Sequence, residues 1–100
     1  MVTRGIFVRL YAKLGQEKAL AEFLATALPL ANAETGTTAW FAFRFDNSTY
    51  GIFDAFANEA GRDAHLNGPI AAALMANADA LLRQPPKIEK VDMLAAKLKE

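Results

Sequence analysis

Residues Thr37 to Asp46 alternate in a way that leaves neither side polar. Ala39, Phe41, Phe43 and Phe45 fall on one face of a strand, and Trp40, Ala42 and Arg44 fall on the other. Such a strand needs cover on both faces. Gly5 to Lys13 raises the same demand, with Ile6, Val8, Leu10 and Ala12 on one face and a mixed set of Phe7, Arg9, Tyr11 and Lys13 opposite. Thr49 to Phe56 reads as a third strand through Tyr50, Ile52, Phe53 and Phe56. The turn formers Asp46-Asn-Ser-Thr49 join it to the second strand as a hairpin. A last strand is expected from about Ile88 to Leu98, with Val91, Met93 and Ala95 opposite Leu94, Ala96 and Leu98.

Helical spacing fills the gaps between these strands. Gln16 to about Asn32 carries the stripe Leu20, Phe23, Leu24, Ala27, Leu28 and Ala31, with Pro29 expected to kink or fray its last turn. Asn58 can cap a second helix, with Glu59 in the first turn where the dipole favours an anion. That helix holds the only histidine, His65, and its end at Asn67-Gly68 reads as left-handed. Pro69 opens the next helix, Ile70 to Arg83, and Gln84-Pro85-Pro86 stops it. The order is strand, helix, strand, strand, broken helix, strand. This is the α+β, ferredoxin-like split βαβ arrangement: one domain over residues 1–100, with an antiparallel four-stranded sheet and helices on one face. The other face stays apolar in every strand, so a homodimer formed through it is expected.

Composition narrows the function. Apolar residues make up 53% of the chain, against about 45–50% for globular proteins, which again points to a partner surface. Eleven basic and eleven acidic residues cancel without forming runs, which argues against nucleic acid as a partner. Arg4 and Arg9 interrupt any signal-like core, and no apolar run reaches the roughly 18 residues that span a bilayer. A soluble cytoplasmic protein with no membrane contact is expected. With no cysteine and one histidine, no metal site is expected. Ser48 is the only serine and sits in a hairpin turn, so a Ser–His hydrolase does not fit. Tyr50-Gly-Ile-Phe-Asp-Ala-Phe56 looks like the base-stacking strand of an RNA-recognition motif. It lacks the basic lead residue, however, and would turn Asp54 toward phosphate.

What remains is a small set of residues with open roles. His65 can act as a general base, since imidazole titrates near pH 6.5, or it can bond a carbonyl and pack. Asp54 lies in an apolar strand and must be paired there. It could orient His65, or tie to Arg44, Tyr50 or a backbone amide. Trp40 and Phe56 could line an aromatic pocket or simply fill the core. Arg44 could polarise a substrate oxygen, stay solvated, or join a dimer contact.

The Glu34-Thr-Gly36 turn before the Trp40 strand, Ile52-Phe-Asp-Ala-Phe56 with Ala64-His-Leu66 after it, and the closing Val91-Asp-Met-Leu-Ala-Ala-Lys-Leu98 together form a pattern. It resembles the antibiotic biosynthesis monooxygenase domain, a dimeric α+β barrel family that includes quinol monooxygenases. The resemblance covers nearly the whole chain. It implies an enzyme, a monooxygenase that oxidises a small aromatic, phenolic or quinol substrate with dioxygen and uses no metal, flavin or haem. It also implies Asp54 and His65 as catalytic residues, and a substrate pocket drawn from Trp40, Phe56, Arg44 and Tyr50. Many relatives carry tryptophan where this chain has Phe56, and the first strand lacks an asparagine; both depart from the haem-degrading members. The alternative is a non-catalytic dimer of the same fold that binds a small ligand or is purely structural.

Overall fold

A computed structural model of the chain describes residues 1–99. Four strands, β1 (Arg4–Tyr11), β2 (Thr37–Arg44), β3 (Thr49–Phe56) and β4 (Lys87–Asp92), form one antiparallel sheet in the order β2-β3-β1-β4. Helices α1 (Glu17–Thr26), α2 (Leu28–Ala33), α3 (Glu59–Leu66) and α4 (Pro69–Leu81) form the second layer. The expected α+β, ferredoxin-like class holds.

Register follows from alternation. Phe7 pairs with Phe53 and Phe53 with Phe41, while Ile6 pairs with Asp54 and Asp54 with Trp40. Residues that pair across the sheet share a face, so one face collects Ile6, Val8, Leu10, Tyr50, Ile52 and Phe56, buried against Leu20, Leu24 and Leu74. The other collects five of the seven phenylalanines: Phe7, Phe41, Phe43, Phe45 and Phe53. Phe41 and Phe45 are 57% and 52% exposed there, and the Arg9 guanidinium lies over the Phe7 and Phe45 rings. The Asp46 carboxylate holds the β2–β3 turn by accepting from the Ser48 and Thr49 amides at 2.9 Å.

Several expectations are corrected. The helix over Gln16–Asn32 is two helices that meet at Ala27. Pro29 sits in the first turn of α2, where its missing N–H leaves no helical bond unmade. Asn67 and Gly68 keep negative φ, so the end of α3 is not left-handed. Gly68 is instead extended, as a residue before proline must be. α4 stops at Leu81 because Leu82 leaves it to bridge Ala12. β4 ends at Asp92 rather than Leu98: Asp92 faces Arg4, the first residue of β1, and Met93 makes one more bond to Thr3 before the partner strand runs out.

Candidate functional site

Alternation in β3 turns Asp54 inward between Ile52 and Phe56, with no exposure at all. A carboxylate there requires a partner. The Asn58 side chain starts α3 by accepting from the Gly61 amide at 2.9 Å, and one turn beyond Gly61 the helix delivers His65. His65 Nε2 lies 2.8 Å from Asp54 Oδ2. Its Nδ1 lies 2.6 Å from Glu34 Oε1, which also accepts from the Thr37 hydroxyl at 2.7 Å. Phe56 packs beside the imidazole, with ring centroids 5.4 Å apart. The result is a carboxylate–imidazole–carboxylate chain drawn from the turn before β2, from α3 and from β3.

Two glycines set the distance between that turn and the helix. A Cβ on Gly61 would stand 2.7 Å from the Gly36 carbonyl oxygen, and a Cβ on Gly36 would stand 3.0 Å from Gly61 Cα. The backbones touch because neither residue has a side chain. This contact brings Glu34 to His65.

Burial alone would push the His65 pKa down, but Asp54 and Glu34 outweigh it, and the pKa rises from 6.5 to about 8. At neutral pH the ring is therefore mostly an imidazolium. Its contact with Asp54 is close but poorly aligned, so neither Asp54 oxygen has a well-formed hydrogen bond. Glu34 Oε2 and Trp40 Nε1 are also buried without partners. Glu34 and Trp40 line one cleft of about 170 Å³ with Leu28, Ala31 and Thr37, between α2 and β2. Both residues line the cleft, while these two polar atoms are themselves shut off from solvent, Oε2 beside Gly68.

Not all of the candidate residues meet here. His65, Asp54 and Trp40 lie around this site, whereas Arg44 and Tyr50 line a separate cleft of about 290 Å³ under α1. The Tyr50 hydroxyl is 3.0 Å from the Asn47 carbonyl oxygen and 3.3 Å from that of Glu17, which ties the β2–β3 turn to α1. Phe56 is fully buried and lines neither cleft. Asp54 takes His65 as its partner rather than Arg44, Tyr50 or an amide. Among the described residues, no group of three or more His, Cys, Asp or Glu is placed to hold a metal ion.

Local sequence pattern assigns no role to two charged residues, Glu34 and Arg62. Glu34 appeared only as part of a turn; its contact with His65 spans 31 positions, beyond the reach of local patterning. Arg62 is buried, with Nη1 donating to the Gly5 and Val91 carbonyls at 3.3 and 3.1 Å. A signal for Arg62 existed in α3. The residues it buries are Arg62 and His65, three apart on one face, so its inward stripe is charged rather than apolar.

The fold defines the class first: an α+β, ferredoxin-like domain of the kind seen in structures named antibiotic biosynthesis monooxygenases. Among solved structures, a Nitrosomonas europaea protein provisionally named an antibiotic biosynthesis monooxygenase matches with TM-score 0.81 at 14% identity, over 92% of this chain and 99% of that one. A conserved Bacteroides thetaiotaomicron protein of unknown function, named a possible oxidoreductase, matches with TM-score 0.77 at 16% identity, over 92% and 98%. These two speak to fold alone. A third, the NE2512 protein of unknown function from Nitrosomonas europaea, is 71% identical over all of this chain and 97% of its own, with TM-score 0.98. The chain belongs to the family of that protein. No protein-family model matches the sequence, and no curated protein does.

Proposed function

We propose that the chain is a small oxidoreductase that oxygenates a phenol or quinol in the Glu34–Trp40 cleft, drawing its electrons from the substrate rather than from metal or flavin. The observation that carries this reading is the 2.6 Å contact between His65 Nδ1 and Glu34 Oε1, with Glu34 itself one of the residues that line the cleft. Both imidazole nitrogens face carboxylates, so His65 acts on the substrate at one remove. The substrate hydroxyl gives its proton to Glu34, and neutral His65 accepts it through the 2.6 Å contact. The resulting phenolate is electron-rich enough to reduce dioxygen. For a phenol, a ring C–H becomes C=O, the second oxygen leaves as water, and all four electrons come from the ring. A cavity of ~150 Å³ holds benzene, so a cleft of about 170 Å³ suits a single ring. The names of the low-identity neighbours agree with this chemistry.

The test is oxygen uptake across a panel of small phenols and quinols, with metal analysis and an absorption spectrum on the same protein. Turnover should fall roughly 10²–10⁴-fold in folded Glu34→Gln and in folded His65→Ala. Unchanged rates in both variants, or a stoichiometric flavin, haem or metal in the active protein, would overturn the reading. No uptake with any substrate would leave a ligand-binding or structural dimer as the better account.

The same reading includes a homodimer through the phenylalanine face. Exposed Phe41 and Phe45 support it, as does the tail after β4, where Leu94 is 99% exposed. The tail's last residue, Glu100, lies outside the described residues.

A further inference from the structure

Arg44 and Tyr50 stand apart from the Glu34 cleft, and the space beside them calls for its own account. The floor of this slot is Ala42, on the covered face of edge strand β2, with the buried Tyr50 ring from β3 at one side. Its roof is Ala21, Leu24 and Ala25 on α1. Ala21 and Ala25 are one helical turn apart on the same face, and with Ala42 opposite they leave a gap that larger residues would close. Phe43 does not fill it, because its ring turns to the other face and lies against Gly51. The slot measures about 290 Å³, against the ~150 Å³ that takes one benzene. There is room for two fused rings.

One charged group lines the slot, and it is a cation. Arg44 closes its end at the last position of β2, and no hydrogen bond or ion pair engages its guanidinium among the described residues. No carboxylate side chain lines the slot with it. An apolar slit ending in a free guanidinium matches a flat apolar body that ends in a carboxylate, which that fork can bind through two parallel hydrogen bonds.

We propose that the slot between α1 and β2 binds an aromatic carboxylate of one or two rings, with its acid group on Arg44 and its rings between the α1 alanines and Tyr50. The site is independent of turnover at Glu34, so it stands or falls without that chemistry.

The experiment titrates the full chain with 2-naphthoate and follows backbone amide resonances. Saturable shifts should centre on Ala21, Ala25, Ala42 and Arg44. Methyl 2-naphthoate, which keeps the rings and loses the charge, should bind at least about tenfold more weakly, in keeping with the loss of a charge-assisted pair. Arg44→Gln should lose the same factor with an unchanged circular dichroism spectrum, and Arg44→Lys should recover part of it. Ala25→Leu, at an exposed helix position, should block binding of both compounds. Equal binding of acid and ester, full affinity in Arg44→Gln, or shifts centred on Glu34 and Trp40 would each overturn the proposal. So would the absence of saturation at millimolar naphthoate.

Discussion

The two faces of the sheet use the same strands and opposite chemistry. On β3, Asp54 points under the helices with no exposure, while its neighbour Phe53 points to the uncovered side. The covered face holds the charges Asp54, His65 and Arg62, with Glu34 at its margin. The uncovered face holds five phenylalanines, with Arg9 over two of them and Lys87 and Glu89 beside it on β4. Within an otherwise apolar core, and on an open face, both sets depart from the usual placement of polar and apolar groups. A buried charge is tolerable when its partners are built around it, and an exposed apolar sheet is tolerable when a partner covers it. The first condition is met within the chain, and the second calls for another molecule.

The largest effect should come from breaking the covered face. Asp54→Ala removes one partner of an imidazolium that has no water to turn to, and such losses cost roughly 3–5 kcal/mol. Urea unfolding measures it. Asp54→Asn should cost less, because an amide oxygen can still accept from Nε2–H. A loss near 0.5 kcal/mol for Asp54→Ala would mean that the charged chain is weakly coupled to the fold, and the contrast between the faces would collapse. Breaking the open face should act on assembly instead. Phe41→Glu should leave the chain folded and weaken self-association about 100-fold, near 2.7 kcal/mol. Sedimentation at micromolar concentration should show twice the chain mass for the native protein and a monomer for the variant. A well-folded native monomer would remove the partner from the argument.

Much of this contrast could be read from the sequence, and the reason is periodicity. Alternation in Thr37–Asp46 and Gly5–Lys13 assigned Trp40, Ala42 and Arg44 to one face and the phenylalanines to the other, as found. Asp54 was visible because a lone acid in an apolar strand must be paired. Glu34 was not, since a turn residue carries no periodic signal and its importance comes from docking on α3. The grouping of Arg44 and Tyr50 with Trp40 failed for a related reason. Sharing a strand face does not mean sharing a cleft when the roof changes from α2 to α1 along it. The length of β4 failed because alternation continues past the point where β1 has begun.

A smaller effect follows from pH. The folded-state pKa of His65, about 8, is raised above the unfolded value of 6.5. The chain binds this proton more tightly when folded, so the stabilisation is fully present below pH 6.5 and is lost as pH rises through about 8. Oxygen uptake should run the other way, rising through the same window as neutral His65 becomes available to accept the substrate proton. Opposite slopes with a shared midpoint near 8 would tie both to one imidazole. A midpoint of activity near 6.5 would detach the chemistry from the buried pair.

The smallest change in stability, and the most local, is expected from Gly61→Ala. Alanine is the better helix former by about 1 kcal/mol, so a free helix would gain from it. Here the new methyl would meet the Gly36 carbonyl at 2.7 Å, a backbone atom that can yield only if the turn moves. Overpacking of this kind costs about 1–3 kcal/mol, which leaves a net loss near 1 kcal/mol after the helical gain. The informative reading is the imidazole itself. A turn pushed off α3 carries Glu34 away from Nδ1, so the His65 pKa measured by NMR titration should fall from about 8 toward 6.5. Gly51→Ala supplies the control on the other face. Its methyl would meet the Phe43 ring at 2.6 Å, a side chain on the uncovered sheet, and the His65 pKa should stay where it is. Equal shifts in both variants would show that the two faces are mechanically coupled, and that the Gly36–Gly61 contact does not by itself set the distance from Glu34 to His65.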